Sequence, residues 1–279
     1  MAGDRCSGVR GGKTVGCIGG YTQGGGHSPA SHDYGLAADQ VLEAQVVLAN
    51  GDIVTANSFK NTDSLLDSIT DSYQQYPNII DAGFSGYGSW SINSPKSNQT
   101  ASYIHVVAAM NKSLVQSQKS FDGLFRTLQK YNSSSLRILV VWYKFPTYRA
   151  YFQAISGVSQ PVGVASPNSA MTSKMFGKAA LTTSRTALRT MIGTTAGNSE
   201  EFTFNTVELV GGGKVLTDAS NKYSSVNPAW RSTYIVNIVA RSWTNHSSAE
   251  FVKDDTTNIE GGAMRALDPL LGSYMNEAW

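Results

Sequence analysis

Between Thr14 and Thr55 the chain reads TVGCIGGYTQGGGHSPASHDYGLAADQVLEAQVVLANGDIVT, and no other stretch so narrows what it can fold into. Gly19-Gly20 and Gly24-Gly25-Gly26 bracket a short segment. Glycine at that density means a backbone that approaches something closely or adopts positive φ. Successive glycine N–H groups can reach a phosphate or a carbonyl without side-chain obstruction. Downstream, apolar runs flank Asn50-Gly51, a dipeptide that is the strongest short-range hairpin signal. The pattern predicts a strand over Leu42–Ala49, a type I′ turn at Asn50-Gly51 and a strand over Ile53–Ala56. A glycine-rich structural turn satisfies the same composition, so the residues alone leave a ligand loop and a plain turn both open.

From residue 58 onward helical and strand-like patterns alternate. Leu65, Leu66, Ile69, Tyr73 and Tyr76 recur at helical spacing in Thr62–Tyr76, with Pro77 as the expected stop. Ala82–Ile92 and Tyr103–Ala109 read as strands, and Leu114–Tyr131 as a second amphipathic helix. Arg137–Phe145 reads as a mostly buried strand ended by Pro146, and Ser169–Ile192 as helix. Phe202–Val210 alternates as far as Gly211-Gly212-Gly213, Tyr234–Trp243 is strand-like, and Ala249–Leu271 reads as a helix broken at Gly261-Gly262. The expected fold class is α+β. Its antiparallel sheet would be built from Tyr103–Ala109, Arg137–Phe145, Phe202–Val210 and Tyr234–Trp243, flanked by helices.

Composition removes several classes of function. At 279 residues and 41% hydrophobic content there is ample material for a core. Charged residues make up 15%, the net charge is +2 and Lys and Arg do not cluster, so no nucleic-acid partner is expected. The longest nearly uncharged apolar run, Leu136–Tyr143, is far short of the ~20 residues that span a bilayer. Cys6 and Cys17 are the only cysteines, which excludes a disulfide scaffold and a Cys-rich metal centre. His27 and His32, with only Asp33 and Asp39 near them in sequence, do not complete a metal set, and no metal is expected. Gly12-Lys13-Thr14 lacks the first glycine of a phosphate loop, where Ser7 stands, and Gly83-Phe84-Ser85-Gly86 has Tyr87 where a nucleophile elbow needs glycine. Residues 1–20 show no apolar signal-peptide core. Sequons at Asn98, Asn111, Asn132 and Asn245 nevertheless fit a protein of the secretory pathway or the extracellular space.

The glycine-rich segment closely resembles the PCMH-type FAD-binding domain of the berberine-bridge-enzyme-like oxidases, in the vanillyl-alcohol-oxidase superfamily. The resembling pieces are T-V-G-x-x-G-G at Thr14–Gly20, Q-G-G-G-H-S at Gln23–Ser28, the run Gly35–Ala44 and the hairpin Ala49–Asn57. Weaker matches are Asn227–Arg231 and the Y-x-N-E segment Tyr274–Glu277. Fungal members are the nearest in texture. The resemblance implies that residues 1–57 are part of an FAD-binding domain, and that 58–279 are a substrate-binding domain with the start of a C-terminal berberine-bridge segment. It implies FAD as cofactor, with Thr14, Val15, Gly16, Gly19, Gly20, Gly24, Gly25, Gly26, His27, Gly35, Asp39 and Val54 around it. It further implies a monomeric oxidase that passes hydride from a small organic substrate of secondary metabolism to flavin, with dioxygen as acceptor. Tyr87 and Tyr143 on substrate-domain strands, and Tyr274 in the C-terminal motif, are the candidates for the catalytic base.

The departures from the family pattern imply a second outcome. No arginine- or asparagine-glycine-histidine loop precedes residue 12. After the hairpin the family continues with D-L-F-W-A-L-R-G-G-G-G-G, whereas here Asn57 passes directly to Ser58-Phe59-Lys60. Gly12 and Lys13 occupy the positions of the second flavin-bonding cysteine and its following proline, and Cys17 does not align with it, so no covalent flavin link carries over. A truncated, non-catalytic family member that cannot hold FAD is therefore the alternative.

Overall fold

The computed structural model describes residues 43–47, 53–57, 62–92, 101–133, 136–156, 168–197, 203–220, 225–243 and 245–275. The chain divides into two compact units, Met1–Lys60 and Asn61–Trp279. In the first, strand β1 (Glu43–Val47) pairs antiparallel with β2 (Ile53–Asn57). The hairpin is as expected, but its register is not. Val47 pairs with Ile53, which centres the ladder on Asn50. A two-residue type I′ turn at Asn50-Gly51 would pair Val47 with Val54 instead. Residues 48–52, with the turn expected at Asn50-Gly51, lie outside the described residues.

The second unit is a five-stranded antiparallel sheet, joined by helices. Its strands are β3 (Phe84–Ile92), β4 (Ala101–Ala109), β5 (Ser169–Gly177), β6 (Thr203–Leu209) and β7 (Thr233–Ser242), in the order β4-β3-β6-β7-β5. The helices used below are α1 (Thr62–Asp81), α2 (Leu114–Gln129), α3 (Tyr148–Ser156), α4 (Lys178–Leu181), α5 (Arg185–Thr195), α6 (Gly213–Thr217), α7 (Ala249–Asp254) and α8 (Gly261–Leu267). A π-helical turn, Asp255–Glu260, joins α7 to α8. The mixed helix and antiparallel-sheet class is the one expected.

Three local expectations fail for physical reasons. Arg137–Phe145 is not a strand. Leu136, Ile138 and Trp142 pack on the core while Leu139, Val141 and Tyr143 point outward and are exposed. The missing strand is supplied by Ser169–Gly177, read from sequence as helix because Ala, Met and Lys favour helices. Next to β7 it buries Met175 and Phe176 completely, and such burial overrides local propensity. Lastly, α1 runs through Pro77 to Asp81. Continuing buries Ile79 and Ile80, worth about 2 kcal/mol each, against the backbone hydrogen bond that proline removes. The break expected at Gly261-Gly262 falls just before them, in the π-helical turn.

One face of the sheet carries the main core. Phe84, Trp90, Val207, Leu209, Ile235, Val239 and Phe176 meet Leu65, Ile69, Tyr73 and Tyr76 of α1, Leu188 and Ile192 of α5 and Met264 of α8. A line of polar groups crosses this apolar layer. Trp90 Nε1 donates to the Tyr73 hydroxyl at 3.2 Å, Tyr73 donates to Asn237 Oδ1, and Asn205 Nδ2 donates to the Thr195 carbonyl at 2.7 Å. Beside it the Tyr76 and Tyr103 hydroxyls bond to each other, and both meet His105 Nδ1, at 3.2 and 2.9 Å. Gly88 sits opposite His105 in the ladder, and a Cβ there would lie 2.5 Å from the ring, so the glycine is what admits the imidazole. Burial raises all three tyrosine hydroxyls and lowers His105 to about 3.

His105 is therefore neutral in the folded chain but titrates near its ordinary value of about 6.5 when unfolded. Its contribution to stability is complete above that value and is lost as pH falls toward 3, where the unfolded state takes up the extra proton. Thermal melts of the wild type between pH 7 and pH 4, compared with His105→Asn, should show a steeper acid-side fall in Tm for the wild type. Parallel slopes would show that this histidine is not held neutral by burial.

Candidate functional site

Strand alternation sets the second face of the sheet. It carries Ser85, Tyr87 and Ser89 of β3, Ile104 and Val106 of β4, Phe204, Thr206 and Glu208 of β6, Val236 and Ile238 of β7, and Met171, Ser173 and Met175 of β5. The two halves of this face differ. Over β5 and β7 it is covered: Met175, Val236 and Ile238 are buried beneath Met171, Val210, Ala229, Trp230, Leu271 and Tyr274. The cover has two parts. A 3-10 turn, Pro228–Ser232, begins at Asn227, whose side chain accepts from Ala229 N at 3.0 Å. Segment 268–275 runs along the β5 edge. Met175 N donates to the Gly272 carbonyl at 3.0 Å, and Ser273 Oγ donates to the Ser173 carbonyl at 2.7 Å.

Asp268 and Lys174 fasten that segment. The Asp268 carboxylate accepts from the backbone N–H of Gly177 at 3.0 Å and from those of Leu270 and Leu271 at 3.3 Å each. Lys174 Nζ donates to the Leu271 carbonyl, and burial lowers the pKa of this ammonium while the nearby Asp268 charge opposes the shift. Tyr274 then packs edge-on against Trp230, with ring centroids 5.5 Å apart. The weaker sequence matches, Asn227–Arg231 and the segment beginning at Tyr274, thus meet on one side of the sheet.

Over β3 and β4 the same face is the open half among the described residues, with Ile104 at 64% and Tyr87 at 49% exposure, and over β6 it is partly exposed. Tyr87 and Glu208 are direct partners in the β3–β6 ladder, and Val236 is Glu208's partner on its other side. Glu208 therefore stands where the covered and open halves meet. Tyr151 of α3 has its hydroxyl pKa raised chiefly by burial and further by Tyr148 and then Tyr87. A carboxylate beside a phenol can accept a proton from a hydroxyl or amine and orient the group that gives it up.

Of the residues singled out from sequence, Tyr87 and Tyr274 belong to this one face, on its open and covered halves. Tyr143 does not: it is 76% exposed on the irregular segment that replaced the expected strand. Val54 lies on β2, paired with Val46. Thr14, Val15, Gly16, Gly19, Gly20, Gly24, Gly25, Gly26, His27, Gly35 and Asp39 lie outside the described residues. Glu208 was missed. Its signal was present in the alternation TFNTVEL, where Phe204, Thr206 and Glu208 share the face opposite Val207 and Leu209. Among the described residues no group of three or more His, Cys, Asp or Glu side chains could hold a metal, and no helix is long and apolar enough to cross a membrane.

Comparison with known proteins finds similar chains. Residues 7–57 match the family profile described as an FAD binding domain. The FAD-linked oxidoreductase hmp9 of Hypomyces subiculosus is 30% identical over 323 residues, covering 96% of this chain and 51% of the relative. The VAO-type flavoprotein oxidase VAO615 of Thermothelomyces thermophilus is 58% identical over 50 residues, 18% of this chain and 9% of that protein. Among solved structures, the VAO-type flavoprotein MtVAO713 from Myceliophthora thermophila C1 superposes with a TM-score of 0.70 at 31% identity, over 94% of this chain and 54% of its own. The chain spans about half the length of the curated relatives that it matches along most of its length.

The contact between Trp230 and Tyr274 lends itself to measurement. Trp230→Ala should destabilise the chain by about 2 kcal/mol, less than full core truncation because the ring is only half-buried. A double-mutant cycle with Tyr274→Ala should give a coupling of about 1 kcal/mol from the edge-on pair. Strict additivity in chemical denaturation would mean that the two rings do not support each other.

Proposed function

Because the chain belongs to the FAD-linked oxidoreductases of the vanillyl-alcohol-oxidase and berberine-bridge-enzyme-like type, we propose that its second unit carries the substrate side of an oxidation. The substrate would be a small organic molecule of fungal secondary metabolism, and dioxygen the final acceptor. The glycines of Gly19–Gly26 offer the unobstructed backbone N–H donors that a dinucleotide needs. Thr14, Val15, Gly16, Gly35, Asp39, His27 and Val54 complete the set that would hold FAD. When bound, the flavin supplies a hydride acceptor. Glu208 takes the proton that the substrate's hydroxyl or amine releases, and Tyr87 orients that group through its phenol. The observation that carries this reading is the register pairing of Tyr87 with Glu208 on the open half of the sheet. Asn111, Asn132 and Asn245 are exposed, which supports a secretory route with glycans at these sequons, and the enzyme acts as a monomer.

A second reading has its own observation. The alignment with the Hypomyces protein runs over 323 positions, more than the 279 residues of the whole chain. The relative therefore carries residues at more than forty positions where this chain has none. Loss of the strand and glycine run expected after Asn57 would account for them, and would leave a family member with a weakened hold on FAD.

Titrating the purified chain with FAD and following flavin absorbance and fluorescence separates the readings. The chain as it stands should bind FAD weakly or not at all, and a version with the relative's extra segment restored should bind it stoichiometrically. In the restored version Gly25→Val should abolish binding, since a branched side chain fills the space a cofactor needs and cannot take up positive φ. Undiminished binding by the Gly25→Val variant would remove the glycine loop from the cofactor site.

A further inference from the structure

Around α3 aromatic rings gather where water alone would be an expensive neighbour. Phe145 and Tyr151 have ring centroids 5.7 Å apart, Tyr148 and Tyr151 6.0 Å, and Tyr148 and Phe152 6.2 Å. Tyr148, Tyr151 and Phe152 recur at i, i+3 and i+4 on α3, which lines them up along one side of the helix. The Tyr151 hydroxyl also feels the charge of Tyr87, the weakest of the three influences on it. These rings are not core: Phe145 is 37% exposed, Tyr148 58% and Phe152 52%. Contiguous exposed apolar surface of this kind marks a binding site more often than bare surface.

The charge around the rings is one-sided. Lys144 and Arg149 belong to the same stretch and are exposed. Neither forms an ion pair among the described residues. The sequence has no Asp or Glu between Asp122 and Glu200, so no acidic residue stands near them in sequence. Arg149 precedes Phe152 by one helical turn, which puts a guanidinium at the margin of the ring stripe.

We propose that Phe145, Tyr148, Tyr151 and Phe152, with Arg149 and Lys144, form a recognition site for a planar aromatic carboxylate. As the substrate end of the sheet site, this assignment rests on the functional reading above. The ring stacks on Tyr148 and Phe152 in offset or edge-on geometry. The carboxylate is held by Arg149, whose planar fork matches it, and by Lys144. A neutral sugar would also stack on these rings but would make no use of two unneutralised cations.

The test needs no flavin. The 279-residue chain is labelled with fluorotyrosine, and the Tyr148 and Tyr151 signals are assigned by Tyr148→Phe and Tyr151→Phe. Fluorine NMR then follows titration with para-hydroxybenzoate, para-hydroxybenzyl alcohol and hexanoate. The expected result is saturable shifts of both signals with para-hydroxybenzoate. Binding should be roughly fivefold weaker for the alcohol, and weaker by a similar factor for the acid in Arg149→Gln, as for the loss of one exposed charge pair. Hexanoate should leave both signals in place. No saturable shift, equal binding of acid and alcohol, or unchanged binding in Arg149→Gln would overturn the proposal. Saturable acid binding alongside a restored chain that takes up no FAD would uphold this inference while removing the functional reading. FAD uptake by the restored chain with no acid binding would do the reverse.

Discussion

Thr233–Val239, the first seven residues of β7, are all buried, so this strand needs cover on both of its faces. The helical side supplies one cover through α1, α5 and α8. On the other side, among the described residues, the Asn227–Ser232 turn and segment 268–275 provide the cover, and both are tied to β5 or β7. The buried Arg241 at the far end of β7 fixes the geometry of the helical side. It pairs with Asp255 and lies 3.5 Å from Glu260. These carboxylates sit at the two ends of the π-helical turn, whose wider winding brings both to one guanidinium. Removing one partner of such a pair costs about 3–5 kcal/mol because the other charge stays buried. The sheet is thus tied to its helices at this end, and among the described residues its second face is half covered and half open.

That asymmetry is what turns a folded domain into a candidate site. A fully covered sheet has no place for a ligand, and a fully bare one does not keep β7 dry. The boundary runs between Val236, which is buried, and Tyr87, which is half exposed, and Glu208 lies between them in register. A carboxylate at the border of apolar cover and open surface can meet a ligand and still be desolvated when one arrives. Its place on the central part of the sheet also makes it rigid, unlike a group on a loop.

Much of this was legible in the chain and some was not. The glycine run and the Asn50-Gly51 hairpin announced themselves because backbone freedom leaves a local trace, and the resemblance of that segment to a known family supplied the flavin. The register was not legible, since the same dipeptide closes loops of even or odd length. Strands β6 and β7 showed themselves by alternation and by a long apolar run. Strand β5 did not, because Ser169–Gly177 owes its conformation to β7 rather than to its own residues. Leu136–Tyr143 misled in the opposite direction. Apolar residues on both of its sides imply two-sided burial, yet Leu139, Val141 and Tyr143 face outward. Glu208 became significant only once the ladder placed it against Tyr87, a pairing across more than a hundred residues of sequence.

The proposed function stands or falls on whether Glu208 belongs to the reacting centre. Carbodiimide labelling of carboxylates, read by mass spectrometry on the restored chain with and without FAD, addresses this directly. Glu208 should be labelled in the flavin-free protein and protected once FAD is bound, whereas Glu250, exposed at the start of α7, should be labelled equally in both. Unchanged labelling of Glu208 on loading with FAD would place the reacting centre elsewhere and contradict the account.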